Sequence, residues 1–221
     1  MTDPISRIVA QFPEDFFRSL LEHMDAAFAK AHSLTSQNYA EPERLNMLGQ
    51  ARHALCEDGF RMAARNAGLS AIAPHTKPAG SRYSLVKQEN IFLIRGNVQT
   101  HCGPPRPTRF RKTWAALNRF LDPLQLDLLQ GVEVPSPRRL CGMIVVTADR
   151  RCNDPSVPAF VGLGIPRADL SEWVVLEPVQ SLLARYNDTG SKIVSPLEPQ
   201  VEVRDQAIPR LRKRRDGSSV E

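Results

Sequence analysis

The sequence predicts an α+β fold, in which an N-terminal helical pair precedes a central mixed or antiparallel sheet with flanking helices. Apolar residues recur every three or four positions through most of residues 14–66, which is typical of amphipathic helices. Beyond residue 82, short runs rich in Ile, Val, Leu and Phe alternate with Gly- and Pro-containing segments, as strands and loops do. Helices first and strands afterwards indicate the α+β class. With 221 residues and 42% hydrophobic residues, the chain is large enough to bury a core of its own.

Residues 1–69 form the predicted N-terminal helical part. Residues 1–13 read as a short lead-in that ends at Pro13, a residue that favours the first turn of a helix. The first helix is predicted over residues 14–31, followed by a polar loop. The second begins at Glu41-Pro42 and runs to residue 66, with a point of interruption at Asp58-Gly59. Ala67-Gly68-Leu69 has the pattern of a glycine C-cap, which ends that helix.

Residues 82–121 carry the hairpin and the helix on which the functional prediction depends. Residues 82–87 and 90–98 are predicted to be the two strands of a β-hairpin that turns at Gln88-Glu89. Three prolines between residues 103 and 107 exclude a helix or an inner strand there. Thr108 is a suitable N-cap for a helix over residues 108–121, with an apolar stripe on one face and basic residues off it.

The second half of the chain completes the predicted sheet. Apolar runs at residues 141–147, 159–163 and 173–176 predict further strands, and a short helix is predicted after Glu177-Pro178. We expect residues 70–203 to form an α+β core that packs with the helical part as one domain. Residues 204–221 are predicted to be a basic, disordered tail.

Charge is segregated along the chain. Residues 61–121 hold 11 basic side chains and one acidic side chain, whereas residues 1–60 hold 5 basic and 9 acidic ones. Segregation of this kind indicates a polyanion or an acidic protein surface as the partner. Nucleic acid is the polyanion that we favour, because guanidinium groups pair with phosphates and nearby aromatic rings can stack on bases. The predicted nucleic-acid-binding residues are Arg95, Arg106, Arg109, Arg111, Lys112 and Arg119.

Two alternative functions stay open. One is a protein-interaction subunit whose basic segment docks an acidic partner. The other is a metal-dependent nuclease, because the order of helices and strands is loosely similar to that of restriction-endonuclease-like enzymes. Asp149 and Glu177, at ends of predicted strands, are then the candidate Mg²⁺ ligands. No acidic residue stands two positions before a lysine, so the Glu-x-Lys pattern of such nucleases is absent.

Cysteine usage and hydropathy bound the remaining possibilities. Four scattered cysteines without a Cys-x-x-Cys pair predict neither a disulfide framework nor structural zinc, so we expect no metal and no cofactor outside the nuclease alternative. No apolar run reaches the ~18 residues of a membrane-spanning helix. The N-terminus lacks the pattern of a secretory signal, and a cytoplasmic location is expected. Oligomeric state is not predicted.

Overall fold

A computed structural model describes residues 3–96, 103–122, 139–148 and 154–190, with only the backbone for residues 188–190. The described residues form five α-helices, one 3₁₀ helix and six strands. The helices are α1 Pro4–Gln11, α2 Glu14–Asn38, α3 Glu43–Asn66, α4 Arg109–Ala115, the 3₁₀ helix Ala116–Leu121, and α5 Val179–Gly190. The strands are β1 Ser70–Ile72, β2 Leu85–Gln88, β3 Ile91–Gly96, β4 Leu140–Thr147, β5 Phe160–Pro166 and β6 Trp173–Pro178.

The six strands form one mixed sheet in the order β1-β2-β3-β4-β5-β6. All neighbouring pairs are antiparallel except β3 and β4, which run parallel with Arg95 opposite Ile144. A parallel pair needs a crossover connection, and α4 lies within the segment that joins these two strands. The α+β class and the mixed sheet with flanking helices are therefore confirmed.

Helices cover both faces of the sheet. Alternate residues of β3 separate into two apolar clusters, since Ile91 and Leu93 face one side and Phe92 and Ile94 the other. The larger cluster contains residues of α1, α2, α3 and α5. The smaller cluster contains Ala115 of α4 and the residues that pack around it: Tyr83, Phe110, Trp114, Leu117 and Trp173. The sheet is thus the middle layer of three.

The prediction that residues 1–13 are a short lead-in is wrong, because residues 4–11 form a helix. Asp3 caps α1 by accepting hydrogen bonds from the backbone N–H groups of Ile5 and Ser6, and Pro4 occupies the first turn. Ile5 and Ile8 are fully buried against the larger cluster. Eight residues are too few to sustain a helix alone, so tertiary burial determines this element.

The helical pair is confirmed, with two corrections to its limits. Helix α2 continues to Asn38 through the predicted loop, because Thr35 is buried and its hydroxyl donates to the Ala31 carbonyl at 2.8 Å. Helix α3 is not interrupted at Gly59. A Cβ at that position would lie 3.2 Å from the Cβ and the carbonyl oxygen of His23 on α2, so glycine permits the close approach of the two helices. Gly68, at φ +72°, ends α3 as predicted.

The hairpin and the later strands are confirmed. Strands β2 and β3 pair around Glu89, and β4, β5 and β6 lie on the predicted apolar runs. The helix predicted over residues 108–121 is divided into α4 and the 3₁₀ helix. Asn118 attaches the 3₁₀ helix to the sheet by bonding the N–H and the carbonyl of Cys141 and the carbonyl of Pro166 at 2.8–2.9 Å.

The larger apolar cluster joins residues from both ends of the described chain, from Ile5 of α1 to Leu182 of α5. The predicted domain limits stay a prediction. The predicted tail, residues 204–221, lies outside the described residues, as does the segment 191–203. Within the described ranges, no helix combines the length and the apolar character needed to cross a bilayer.

Candidate anion-binding cavity

A cavity of about 350 Å³ lies where α3, the segment before β2 and the start of α4 meet. Buried Glu57 and Arg111 form its floor, and exposed residues form its rim. The described lining residues are His53 and Glu57 of α3, Thr76, Lys77, Pro78, Ser81, Arg82 and Tyr83 of the segment before β2, and Thr108, Arg109, Phe110 and Arg111 of α4 and its cap.

Glu57 anchors the segment before β2 to α3. It lies one helical turn after His53 and one before Arg61, so the three side chains share a face of α3. The Ser84 backbone N–H donates to Glu57 Oε2 at 2.7 Å, and the Ser84 hydroxyl donates to the Glu57 carbonyl at 3.0 Å. Arg61 Nη1 donates to the Ser84 hydroxyl oxygen at 2.8 Å. Both oxygens of the Glu57 carboxylate are committed, because Arg95 bonds the other one.

Arg95 and Glu57 form a buried ion pair behind the cavity. Arg95 is 4% exposed, and its Nε donates to Glu57 Oε1 at 2.9 Å. Arg95 Nη2 also contacts His53 Nδ1, which must accept because a guanidinium only donates. Although His53 as a whole is exposed, desolvation of its ring and then the Arg95 charge lower its pKa below the ordinary value. His53 is therefore neutral at neutral pH.

Arg111 is a second buried guanidinium in the same place. It is 7% exposed, its Nη1 donates to the Arg106 carbonyl at 3.0 Å, and its Nε has no hydrogen-bond partner among the described residues. Burial, followed by the charge of Arg95, lowers the pKa of Arg111 to about 10. The group is still protonated at neutral pH, and holding it charged there costs about 3 kcal/mol relative to water.

The cavity carries an excess of positive charge. Within the described lining, Glu57 supplies the sole carboxylate, and Arg95 already neutralises it. Against this stand four lining cations, the buried Arg111 and the exposed Lys77, Arg82 and Arg109. A desolvated cation without a counter-charge is costly, so the arrangement favours an anion in the cavity.

Aromatic rings support the α4 side of the cavity. Tyr83 and Phe110 stack with their centroids 4.4 Å apart and their planes 19° from parallel. Trp114 Nε1–H donates to the Tyr83 hydroxyl at 3.1 Å, which holds α4 against the segment before β2. The Thr108 hydroxyl is buried, and no hydrogen-bond partner for it exists in the described part of the chain.

The structure brings some of the six predicted nucleic-acid-binding residues together at the cavity. Arg109 and Arg111 line the cavity, and Arg106 contacts Arg111 through its carbonyl. Arg95 lies behind Glu57, buried and ion-paired. Lys112 and Arg119 are exposed on α4 and the 3₁₀ helix, outside the cavity. The role of these residues in nucleic-acid binding stays a prediction.

The candidate nuclease ligands are not seen together. Asp149 lies outside the described residues, and Glu177 Oε1 forms an ion pair with Arg185, which also bonds Asp3 at 2.9 Å. In the described ranges, no three His, Cys, Asp or Glu side chains are grouped closely enough to hold a metal ion. Cys141 is buried in β4, where desolvation raises the pKa of its thiol.

The predicted binding set lacked several cavity residues, among them the imidazole of His53 and the charged Glu57, Lys77 and Arg82. Lys77 and Arg82 belong to the basic region 61–121 but lie in a segment that has no periodicity to orient them. The four-residue spacing of His53, Glu57 and Arg61 was the available signal, since it places three polar side chains on one face of a helix.

Comparison with protein families, curated proteins and solved structures gives no significant match to this chain.

Proposed function

We propose that this protein binds nucleic acid through the cavity and the exposed basic residues beside it. The observation that carries the proposal is the charge imbalance at the cavity, where the carboxylate of Glu57 is already taken by Arg95. The exposed Lys77, Arg82 and Arg109 at the rim supply phosphate contacts, and the exposed Arg106 before α4 and Lys112 on α4 extend the basic surface. A cytoplasmic location is part of this proposal.

Salt-titrated binding to random-sequence DNA and RNA tests the proposal. Fluorescence anisotropy should show binding to single-stranded oligonucleotides that weakens as salt rises. Three or four phosphate contacts predict a log–log slope of about −2 to −3 for single strands. The triple variant Lys77→Ala/Arg82→Ala/Arg109→Ala should bind more weakly, and its slope should be smaller by about 0.7 for each removed cation that had bound a phosphate.

A charge-matched control separates a site from a general effect of net charge. Lys30 of α2 and Arg65 of α3 are exposed, Arg44 of α3 is half-buried, and none of the three lines the cavity. The variant Lys30→Ala/Arg44→Ala/Arg65→Ala should therefore bind almost as the wild type does. Equal losses in the two triple variants, or no binding of any nucleic acid at low salt, would refute the proposal and favour an acidic protein partner.

The nuclease alternative requires a separate measurement. Incubation of labelled DNA and RNA with Mg²⁺ or Mn²⁺ should reveal cleavage that disappears in Asp149→Ala if Asp149 holds the metal. Binding without metal-dependent cleavage would support the non-catalytic function that we favour.

A further inference from the structure

We infer that the cavity is a site for a terminal phosphate monoester, so that the protein recognises phosphorylated ends of nucleic-acid strands. This inference rests on the proposed function and specifies the group that enters the cavity. The floor and the rim play different parts: the buried Arg111 and the buried hydroxyl of Thr108 bind the phosphate, and the exposed Lys77, Arg82 and Arg109 contact the strand that leads away from it.

Charge is the first argument for a monoester. Among the described residues, the two buried guanidiniums of Arg95 and Arg111 face one buried carboxylate, and the exposed cations of the lining add to the excess. A phosphate monoester carries about −1.5 to −2 at neutral pH, whereas each diester of the backbone carries a single charge. A monoester therefore neutralises the buried Arg111 and still has negative charge left to attract the exposed cations at the rim.

Unused donors are the second argument. The Nε–H of Arg111 and the hydroxyl of Thr108 are both buried, and neither has a partner among the described residues. Each can donate, and a monoester presents three terminal oxygens that accept hydrogen bonds. Both atoms lie beneath the cavity surface, so we expect a bound phosphate to draw the two side chains towards it.

Shape is the third argument. At about 350 Å³ the cavity is within the size range of small-molecule sites, about 300–1,000 Å³. A backbone diester continues as a chain on both sides, which keeps it at the rim. A terminal phosphate continues on one side only, so it can reach the buried floor while its strand passes over the rim.

Oligonucleotides of one sequence that differ only at their ends test the inference. Fluorescence anisotropy should compare a single strand of about 12 nucleotides carrying a 5′-phosphate, a 3′-phosphate, or hydroxyls at both ends. At least one phosphorylated form should bind about 10-fold more tightly than the hydroxyl form, which is about 1.4 kcal/mol. Competition by a nucleoside monophosphate and by inorganic phosphate then shows whether the strand contributes beyond the phosphate.

Two conservative variants locate the effect. Arg111→Lys retains the charge and removes the guanidinium fork, and Thr108→Val removes the hydroxyl with little change of shape. Both should reduce the preference for the phosphorylated end, measured as the ratio of the two affinities, towards one. Arg65→Lys and Thr113→Val are the matched controls, since both residues are exposed and lie outside the cavity, and they should retain the full preference.

The two proposals fail in distinguishable ways. Salt-dependent binding that is equal for phosphorylated and hydroxyl ends would overturn the terminal-phosphate site and leave nucleic-acid binding standing. Absence of binding to every strand at low salt would overturn both. If a nucleoside monophosphate binds as tightly as the phosphorylated strand, the monoester site is supported but its source is a small molecule, which overturns the strand-end assignment.

Discussion

Replacing Glu57 by glutamine should be strongly destabilising, although the side chain keeps its shape. The carboxylate supplies one oxygen to the Ser84 N–H at 2.7 Å and the other to Arg95 Nε at 2.9 Å. Glutamine has one oxygen, so one of these buried donors would face an NH₂ group. Removing one partner of a buried ion pair costs about 3–5 kcal/mol. In Glu57→Gln, Arg95 and Arg111 would also repel each other without an intervening negative charge.

Thermal and denaturant unfolding measure this cost. For a domain of this size, 1 kcal/mol shifts Tm by about 2–4 °C, so Glu57→Gln should lower Tm by about 6–20 °C. The adjacent Asp58→Asn is the matched control. Asp58 pairs with Arg61 at 3.0 Å on the surface of α3, and an exposed pair contributes about 0.2–1 kcal/mol. A Tm for Glu57→Gln within the range of Asp58→Asn would show that the buried cluster does not carry the unbalanced charge on which the proposals depend.

A double-mutant cycle measures the coupling between Glu57 and Arg111. Arg111→Met removes the surplus cation and fills its volume with an apolar chain. Because the Glu57 carboxylate partly offsets the Arg95–Arg111 repulsion, Arg111→Met should be more favourable in the Glu57→Gln background than in the wild type. We expect a coupling free energy of at least about 0.5 kcal/mol, as for residues in one charged network. Additive effects would contradict direct coupling at the cavity.

Three further variants test the fold and the cavity. The pKa of His53 is lowered in the folded protein, so the unfolded chain binds a proton at His53 at a higher pH than the folded chain does. The stability of the wild type should therefore fall as the pH drops below about 6.5. Unfolding measured against pH should show a smaller fall in His53→Gln. Asn118→Leu leaves the Cys141 N–H and two carbonyls without their partner, and chemical denaturation should show a loss of about 2–4 kcal/mol. Gly162→Ala places a Cβ 2.8 Å from the Glu177 carbonyl oxygen on the neighbouring strand, and Tm measurements should show a loss of about 1–3 kcal/mol. Wild-type stability in either of the last two would contradict the packing described around them.

Periodicity predicted the elements that are held by their own amphipathic pattern. Helices α2 and α3, the β2–β3 hairpin and the apolar strand β4 all have a repeat that the sequence displays directly. Helix α1 was missed because its eight residues depend on burial against a core that only the folded chain provides. The periodicity did not show which residues of α3 are buried. Leu45 and Met62 are exposed, whereas Cys56, Phe60 and Ala63 pack on the core.

The candidate site was predicted in its charge but not in its geometry. The basic segment indicated an anion, and Arg109 and Arg111 do line one cavity. The composition of the basic segment could not show that Arg111 is buried and Arg109 exposed, because burial depends on how α4 packs against the segment before β2. Nor could it show that Glu57, far away in the sequence and within an acidic region, lies against Arg95.

The position of Glu57 separates two interpretations of the basic region. If the arginines served only to pair with the acidic helices, each buried guanidinium would have its own carboxylate. Arg95 does, but Arg111 does not within the described residues, and its lowered pKa reflects the cost of that setting. An apolar residue at position 111 would avoid this cost, since well-packed hydrophobic groups commonly replace buried charges without loss. A surplus buried cation beside exposed ones therefore supports our proposal that an anion completes the site when it binds, and the stability lost in its absence is of the kind found at functional sites.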